Sequence, residues 1–156
     1  MMTNAFEKLL ADLSEAEVDY LLVGGLAVAF CGYVRATEDV DILVRVDDDN
    51  LQRLLDVLAD FGEGAASALS VDDFTLEEGA IRVIEDFPLD IFTQMSGYHY
   101  EDLTSMTETR QVKDHSVDHL DVEGLIILKE ESLRPKDQMD VQALRRIQKE
   151  QAPGSS

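Results

Sequence analysis

Tryptophan is absent from this 156-residue sequence, cysteine occurs once and proline three times. A lone cysteine, Cys31, excludes an internal disulfide, so the fold must be held by packing, which a chain of this length can supply. Set in the run AVAFCGY, Cys31 reads as a small buried apolar residue rather than a nucleophile. No apolar run approaches the roughly 18 residues that a membrane-spanning helix requires. The start, MMTNAFEKLLADL, is acidic and amphipathic, without the basic start and apolar middle of a secretion signal, so a cytoplasmic location is expected. The three histidines, His99, His115 and His119, lack the i,i+4 or cysteine-paired spacing of a zinc site and are expected at the surface. Repeats and a dividing linker are also missing, which predicts one domain over residues 1–150 and a frayed tail, QAPGSS, at 151–156.

Positive charge is the other scarcity. Thirty-three Asp and Glu face 13 Lys and Arg, for a formal net charge of −20. The imbalance is uneven: residues 1–128 hold 28 acids and 7 bases, a net of −21, whereas residues 129–156 carry a net of +1. Such a field repels nucleic acid over most of the surface and favours a basic protein partner, or reflects a salt-adapted host. What is plentiful is apolar: 45% of residues are hydrophobic, enough for a globular core.

The apolar pattern predicts an α/β chain, with a mixed β-sheet flanked by helices and a small C-terminal helical element. Phe6, Leu9, Leu10 and Leu13 recur at helical spacing after Thr3. Tyr20 to Val23 reads as a strand, Gly25 to about Gly32 as a short helix, and Asp41 to Val46 as a second strand. The acid run 47–49 caps a helix carrying Leu51, Leu54, Leu55 and Leu58, since carboxylates are favoured at a helix start; a metal site there is far less expected. Residues 62–80 read as a loop with a short strand near Leu69–Val71. Strands follow at 81–84 and 89–92, and a hairpin at 111–113 and 116–119 turns at Asp114-His115. Asp121 caps a helix with Leu125, Ile126, Leu128 and Leu133 inward, broken at Arg134-Pro135. The last helix presents Met139, Val141, Leu144 and Ile147 to the core.

Chemistry concentrates in LLVGGLAVAFCGYVRATEDVDILV, where Gly24-Gly25 close one apolar run and Asp39-Val40-Asp41 open the next. Strand side chains alternate, so Asp39 and Asp41 point the same way while Val40 and Ile42 face the core. Carboxylates held that close repel unless one takes a proton or a cation lies between them. Alone, a Gly-Gly is a tight turn and a DxD a solvated strand end. Together, at the buried start of DVDILVRV, they call for a counter-ion, because buried unpaired charge costs several kcal/mol. Oxygen ligands with a partly open shell suit Mg²⁺ carried in with nucleotide phosphates.

The pattern GG-x13-DxD resembles the signature of the DNA polymerase β-type nucleotidyltransferase superfamily. The fuller string, through Arg35 and Thr37, resembles its small bacterial members such as the AbiEii-type toxins. That resemblance implies a nucleotidyltransferase fold and a nucleoside triphosphate as substrate, with Gly24 and Gly25 letting the backbone approach its phosphates. It implies Asp39 and Asp41 as ligands of Mg²⁺ (or Mn²⁺), and Asp90, in the strand LDIF, as the third acid. Arg35 would neutralise phosphate charge or pin the glycine loop, and Thr37 would fix the turn into the strand. LIILKEESLRPKDQMDVQAL is a looser match to the group's closing motif. By it Lys129 would reach the triphosphate, with Asp137 or Asp140 orienting Lys129 or a substrate group. Arg134 and Lys136 read as ordinary helix-end charges.

Three functions compete. The resemblance favours transfer of a nucleoside monophosphate to a protein or RNA, as the toxin of a toxin–antitoxin pair with a basic antitoxin. An antibiotic-modifying nucleotidyltransferase is the alternative, although 156 residues leave little room for a separate acceptor domain. The third is a non-catalytic acidic binding module on the same fold, which retention of all three acids disfavours.

Overall fold

The computed structural model describes residues 4–34 and 36–151. Arg35 therefore lies outside the described residues, as do Thr3 and residues 152–156. The elements run α1 (Asn4–Glu15), β1 (Tyr20–Val23), α2 (Gly24–Phe30), β2 (Val40–Val44), α3 (Asp48–Ala59), a 3₁₀ turn at Val71–Asp73, β3 (Ala80–Ile84) and β4 (Pro88–Phe92). After these come α4 (Tyr100–Leu103), β5 (Thr107–Val112), β6 (His115–Leu120), α5 (Val122–Lys129) and α6 (Pro135–Gln151). None of the described helices is long and apolar enough to cross a membrane.

The six strands form one mixed sheet in the order β3-β4-β2-β1-β6-β5. β1 pairs antiparallel with β2, while β1–β6 and β2–β4 are parallel and β3–β4 and β5–β6 are antiparallel hairpins. Alternation gives the sheet two uses. Tyr20 and Ile42 point to the face on which α1 lies, where the Tyr20 hydroxyl donates to the Leu10 carbonyl. Leu21, Val23, Asp41 and Leu43 point to the other. The core unites Leu9, Leu10 and Leu13 of α1 with Leu51, Leu54 and Leu58 of α3 and with Leu22, Ile42, Leu89 and Ile91 of the sheet. Phe87 joins it edge-on to Phe6, with ring centroids 4.6 Å apart.

Helix starts follow the expected caps. The Asp47 carboxylate accepts from the Asn50 N–H, and Asp121 from the Gly124 N–H. Asn50 is fully buried; its amide donates to the carbonyls of Asp19 and Arg45 and its Oδ1 accepts from the Asp19 N–H. By taking the Arg45 carbonyl, Asn50 ends β2 at Val44, two residues before the predicted end.

Other expectations are corrected. Residues 71–73 form a 3₁₀ turn, because the Asp73 carboxylate closes a capping box on Ser70. The hairpin is longer than predicted and turns at Lys113-Asp114, both left-handed (φ 48° and 67°), the conformation that matches strand twist in a two-residue turn. α4 was not predicted; the Asp102 carboxylate nucleates it by accepting from the His99 N–H. His119 is buried, not at the surface: its ring stands edge-on to Phe30, and Nδ1 lies 2.8 Å from the Leu120 carbonyl. Cys31 is only partly buried, yet burial is the main reason its thiol is pushed up to about 12 and is unreactive at neutral pH. Leu133 and Met139 are exposed, at 86% and 58%. The inward stripe of α6 runs instead through Asp137, Asp140, Val141 and Leu144, because the two acids meet Lys129.

Candidate active site

Strand register assembles the site. Asp41 on β2 stands beside Asp90 on the parallel neighbour β4, and Asp90 stands beside Arg82 on the antiparallel β3. Three adjacent strands thus present Asp41, Asp90 and Arg82 in a row on the face opposite α1. Asp39, two residues before Asp41 and one before the strand begins, joins them. Ligand oxygens of Asp39, Asp41 and Asp90 all lie within 4.8 Å of one another. The sequence-predicted acids are therefore brought together, with Asp90 buried and the other two partly so.

Electrostatics confirm how crowded the cluster is. Asp41 is pushed up to about 7, first by burial and then by the charges of Asp90 and Asp39. Lys129 pulls the other way but does not win. Arg82 supplies the positive charge nearest to hand. Its Nε donates to Asp90 Oδ1 at 2.8 Å, and its Nη2 donates to Asp90 Oδ2 at 2.9 Å and to Asp39 Oδ2 at 3.2 Å. Arg82 lies in the strand expected over 81–84, where no motif marks it. The signal was there: folding the two apolar runs back on each other around Asp86 sets residue 82 opposite residue 90.

Gly24 meets the acids from β1. Its φ of +73° is left-handed, and a Cβ there would approach the Asp41 Cβ to 2.9 Å and collide with the carboxylate. The glycine is thus required both by the backbone turn and by the space it leaves over Asp41. α2 opens at this point with no side-chain cap from Val23, and its first two residues, Gly24 and Gly25, border the cleft.

The opposite wall comes from the C-terminal helices. Lys129 Nζ lies 3.0 Å from Asp137 Oδ1 and 3.3 Å from Asp140 Oδ2, with its side chain 13% exposed. Burial works against the Asp137 charge, but the Ser132 hydroxyl and Lys129 overcome it and hold the carboxyl below its ordinary value. The cleft between the walls has a volume of about 530 Å³. Gly24, Gly25, Thr37, the three acids and Lys129 all border it. So do Arg134 and Lys136, expected from the sequence as ordinary helix-end charges, which put positive charge on the wall across from the acids. Asp140 is buried behind Lys129.

Three carboxylates at this separation, beside an open cleft of polar lining, are a donor set that fits a hard divalent cation such as Mg²⁺. No protein-family model and no curated protein matches the sequence. Solved structures do match in fold. A lincosamide antibiotic adenylyltransferase, LnuA, solved with lincomycin bound, superposes with a TM-score of 0.63 at 18% identity, over 94% of this chain and 98% of that one. An antigenic nucleotidyltransferase-like protein from Paracoccidioides brasiliensis gives 0.54 at 17% identity, over 99% and 80%. A candidate nucleotidyltransferase from Thermotoga maritima gives 0.56 at 14% identity, over 97% of each chain. The mixed sheet with its flanking helices is the fold of these nucleotidyltransferases.

Proposed function

We infer that this chain is a nucleotidyltransferase, moving a nucleoside monophosphate from a nucleoside triphosphate to an acceptor hydroxyl with the help of Mg²⁺ or Mn²⁺. The observation that carries the reading is the convergence of Asp39, Asp41 and Asp90 on one point beneath Gly24, in a fold shared with nucleotidyltransferases. Asp39, Asp41 and Asp90 would hold the cation, which when bound screens the triphosphate and stabilises the attacking and leaving oxygens of an in-line displacement. Gly24 and Gly25, which border the cleft, would let the backbone close on the phosphates at the start of α2. Lys129, Arg134 and Lys136 set positive charge on the far wall, where the pyrophosphate leaves. Asp137 and Asp140 hold the Lys129 ammonium in place. With the cation bound, Asp90 would help to deprotonate the acceptor hydroxyl.

For the acceptor, the −21 charge on residues 1–128 favours a protein over bulk nucleic acid. With the AbiEii-like motif it supports a toxin whose antitoxin is basic; a neighbouring gene for a small DNA-binding protein would strengthen this. A second reading, transfer to a small hydroxylated molecule, draws on the LnuA likeness. Because this chain covers 98% of that antibiotic adenylyltransferase, shortness no longer speaks against a small acceptor. Incubating the protein with each α-labelled nucleoside triphosphate, Mg²⁺ and either cell extract or aminoglycoside and lincosamide acceptors tests both. Label should pass to one acceptor class and vanish in Asp39→Asn and Asp90→Asn. Undiminished transfer by either variant would remove the acids from the reaction.

A further inference from the structure

We propose that Arg82 is a built-in latch on the acid cluster, an internal cation that holds Asp39 and Asp90 until a divalent metal displaces it. The inference rests on the metal-binding reading above and adds to it a competitor supplied by the chain itself. Both oxygens of Asp90 are taken, Oδ1 by Nε at 2.8 Å and Oδ2 by Nη2 at 2.9 Å, and the same Nη2 reaches Asp39 Oδ2 at 3.2 Å. This is the forked pairing in which arginine binds carboxylates most firmly. A Mg²⁺ ion that used Asp90 and Asp39 would need their oxygens at about 2.1 Å. It would then have to take an oxygen the guanidinium holds, against the repulsion of a positive charge a few ångströms away.

Placement makes the arm movable. β3 is an edge strand, so no further strand flanks Arg82, and the side chain is 49% exposed although its partner Asp90 is only 11% exposed. The backbone can stay fixed in the β3–β4 hairpin while the guanidinium swings away. The latch has two consequences. It relieves the mutual repulsion of the acids when no metal is present. It also raises the threshold for metal, so that a free divalent ion binds weakly and the site is filled chiefly when triphosphate charge helps to draw the arginine off.

The test is Mn²⁺ binding without nucleotide, followed by titration calorimetry or by loss of the free-ion paramagnetic resonance signal, in wild type, Arg82→Gln and Arg82→Lys. Arg82→Gln should melt at a lower temperature in chelator yet bind Mn²⁺ about five- to tenfold more tightly. Arg82→Lys, which keeps the charge and loses the fork, should fall between. A residue that merely supported the fold would lower both stability and affinity. In the wild type, the Arg82 Nε–H resonance, shifted by its bond to Asp90, should move towards that of a free guanidinium as Mn²⁺ is replaced by diamagnetic Mg²⁺ and titrated in; this needs no variant to fold. Measurable Mn²⁺ binding that is unchanged or weaker in Arg82→Gln, with an unmoved Nε–H signal, would overturn the latch and leave the metal site standing. Absence of Mn²⁺ binding in wild type and variants alike would overturn both.

Discussion

Replacing Asp41 by asparagine should make the metal-free protein more stable at alkaline pH, contrary to the usual effect of removing a carboxylate from a site. The carboxyl is pushed up from 3.8 to about 7, first by burial and then by Asp90 and Asp39. A carboxyl whose value is raised on folding binds its proton more tightly in the native state. The stability it contributes is therefore complete below the unfolded value and is lost as pH rises through about 7. Between about pH 5.5 and about pH 8.5 that loss amounts to about 2 kcal/mol. Asparagine carries no charge at either pH and can still donate a hydrogen bond to Asp90. Urea unfolding in chelator at both pH values, for wild type and Asp41→Asn, gives four free energies. The wild type should lose about 2 kcal/mol more than the variant on going to the higher pH. Comparing the pair cancels the self-repulsion of the rest of this acidic chain, which both proteins share. An equal loss in both, or a larger one in the variant, would refute the crowded-carboxylate account of the site.

Gly24→Ala should destabilise the fold by about 2–4 kcal/mol in urea unfolding, from left-handed strain plus the collision with Asp41, and should abolish nucleotide binding. A variant of wild-type stability would mean that the turn tolerates a side chain. Lys129→Met should cost about 3 kcal/mol, because it takes an ammonium from two carboxylates of which Asp140 is fully buried; an unchanged unfolding midpoint would show the pair to be energetically idle. Transfer RNA should bind weakly and with a steep salt dependence at about 150 mM salt, since residues 1–128 carry a net of −21 and the six bases of 129–149 sit among four acids. Sub-micromolar affinity in a filter assay would move the acceptor to RNA, and Arg145, Arg146 and Lys149 would be the first residues to neutralise.

Legibility in the sequence followed the range of the interactions. Elements set by local pattern, such as α3 with its Asp47 cap and the strand Tyr20–Val23, lie where apolar period and capping chemistry place them. The Asp39, Asp41 and Gly24 cluster is legible because two short motifs, thirteen residues apart, flank one helix and its following loop. Asp90 was legible only with the family pattern in hand, since nothing local says that its strand lies beside β2. Long-range contacts were not legible. Asn50 ends β2 by reaching a carbonyl of Arg45 as well as the backbone of Asp19, and Asp140 displaces Met139 from the core by meeting Lys129. His119 reads as polar in sequence but is buried because its neighbour's carbonyl and the Phe30 ring receive it. Arg82 carries no motif signal because its partners lie eight and 43 residues away in sequence, although the hairpin symmetry about Asp86 encodes the nearer one.

Thermal unfolding with Mg²⁺ and a nucleoside triphosphate added together, in wild type and in an Asp39→Asn/Asp41→Asn double variant, tests most directly whether the acids and Gly24 form a metal–nucleotide site. At about a hundred times the dissociation constant the ligands should stabilise the wild type by roughly 2.7 kcal/mol and raise its melting temperature by several degrees. The double variant should show no rise. Equal shifts in the two proteins, or none in the wild type with any of the four triphosphates, would contradict the account.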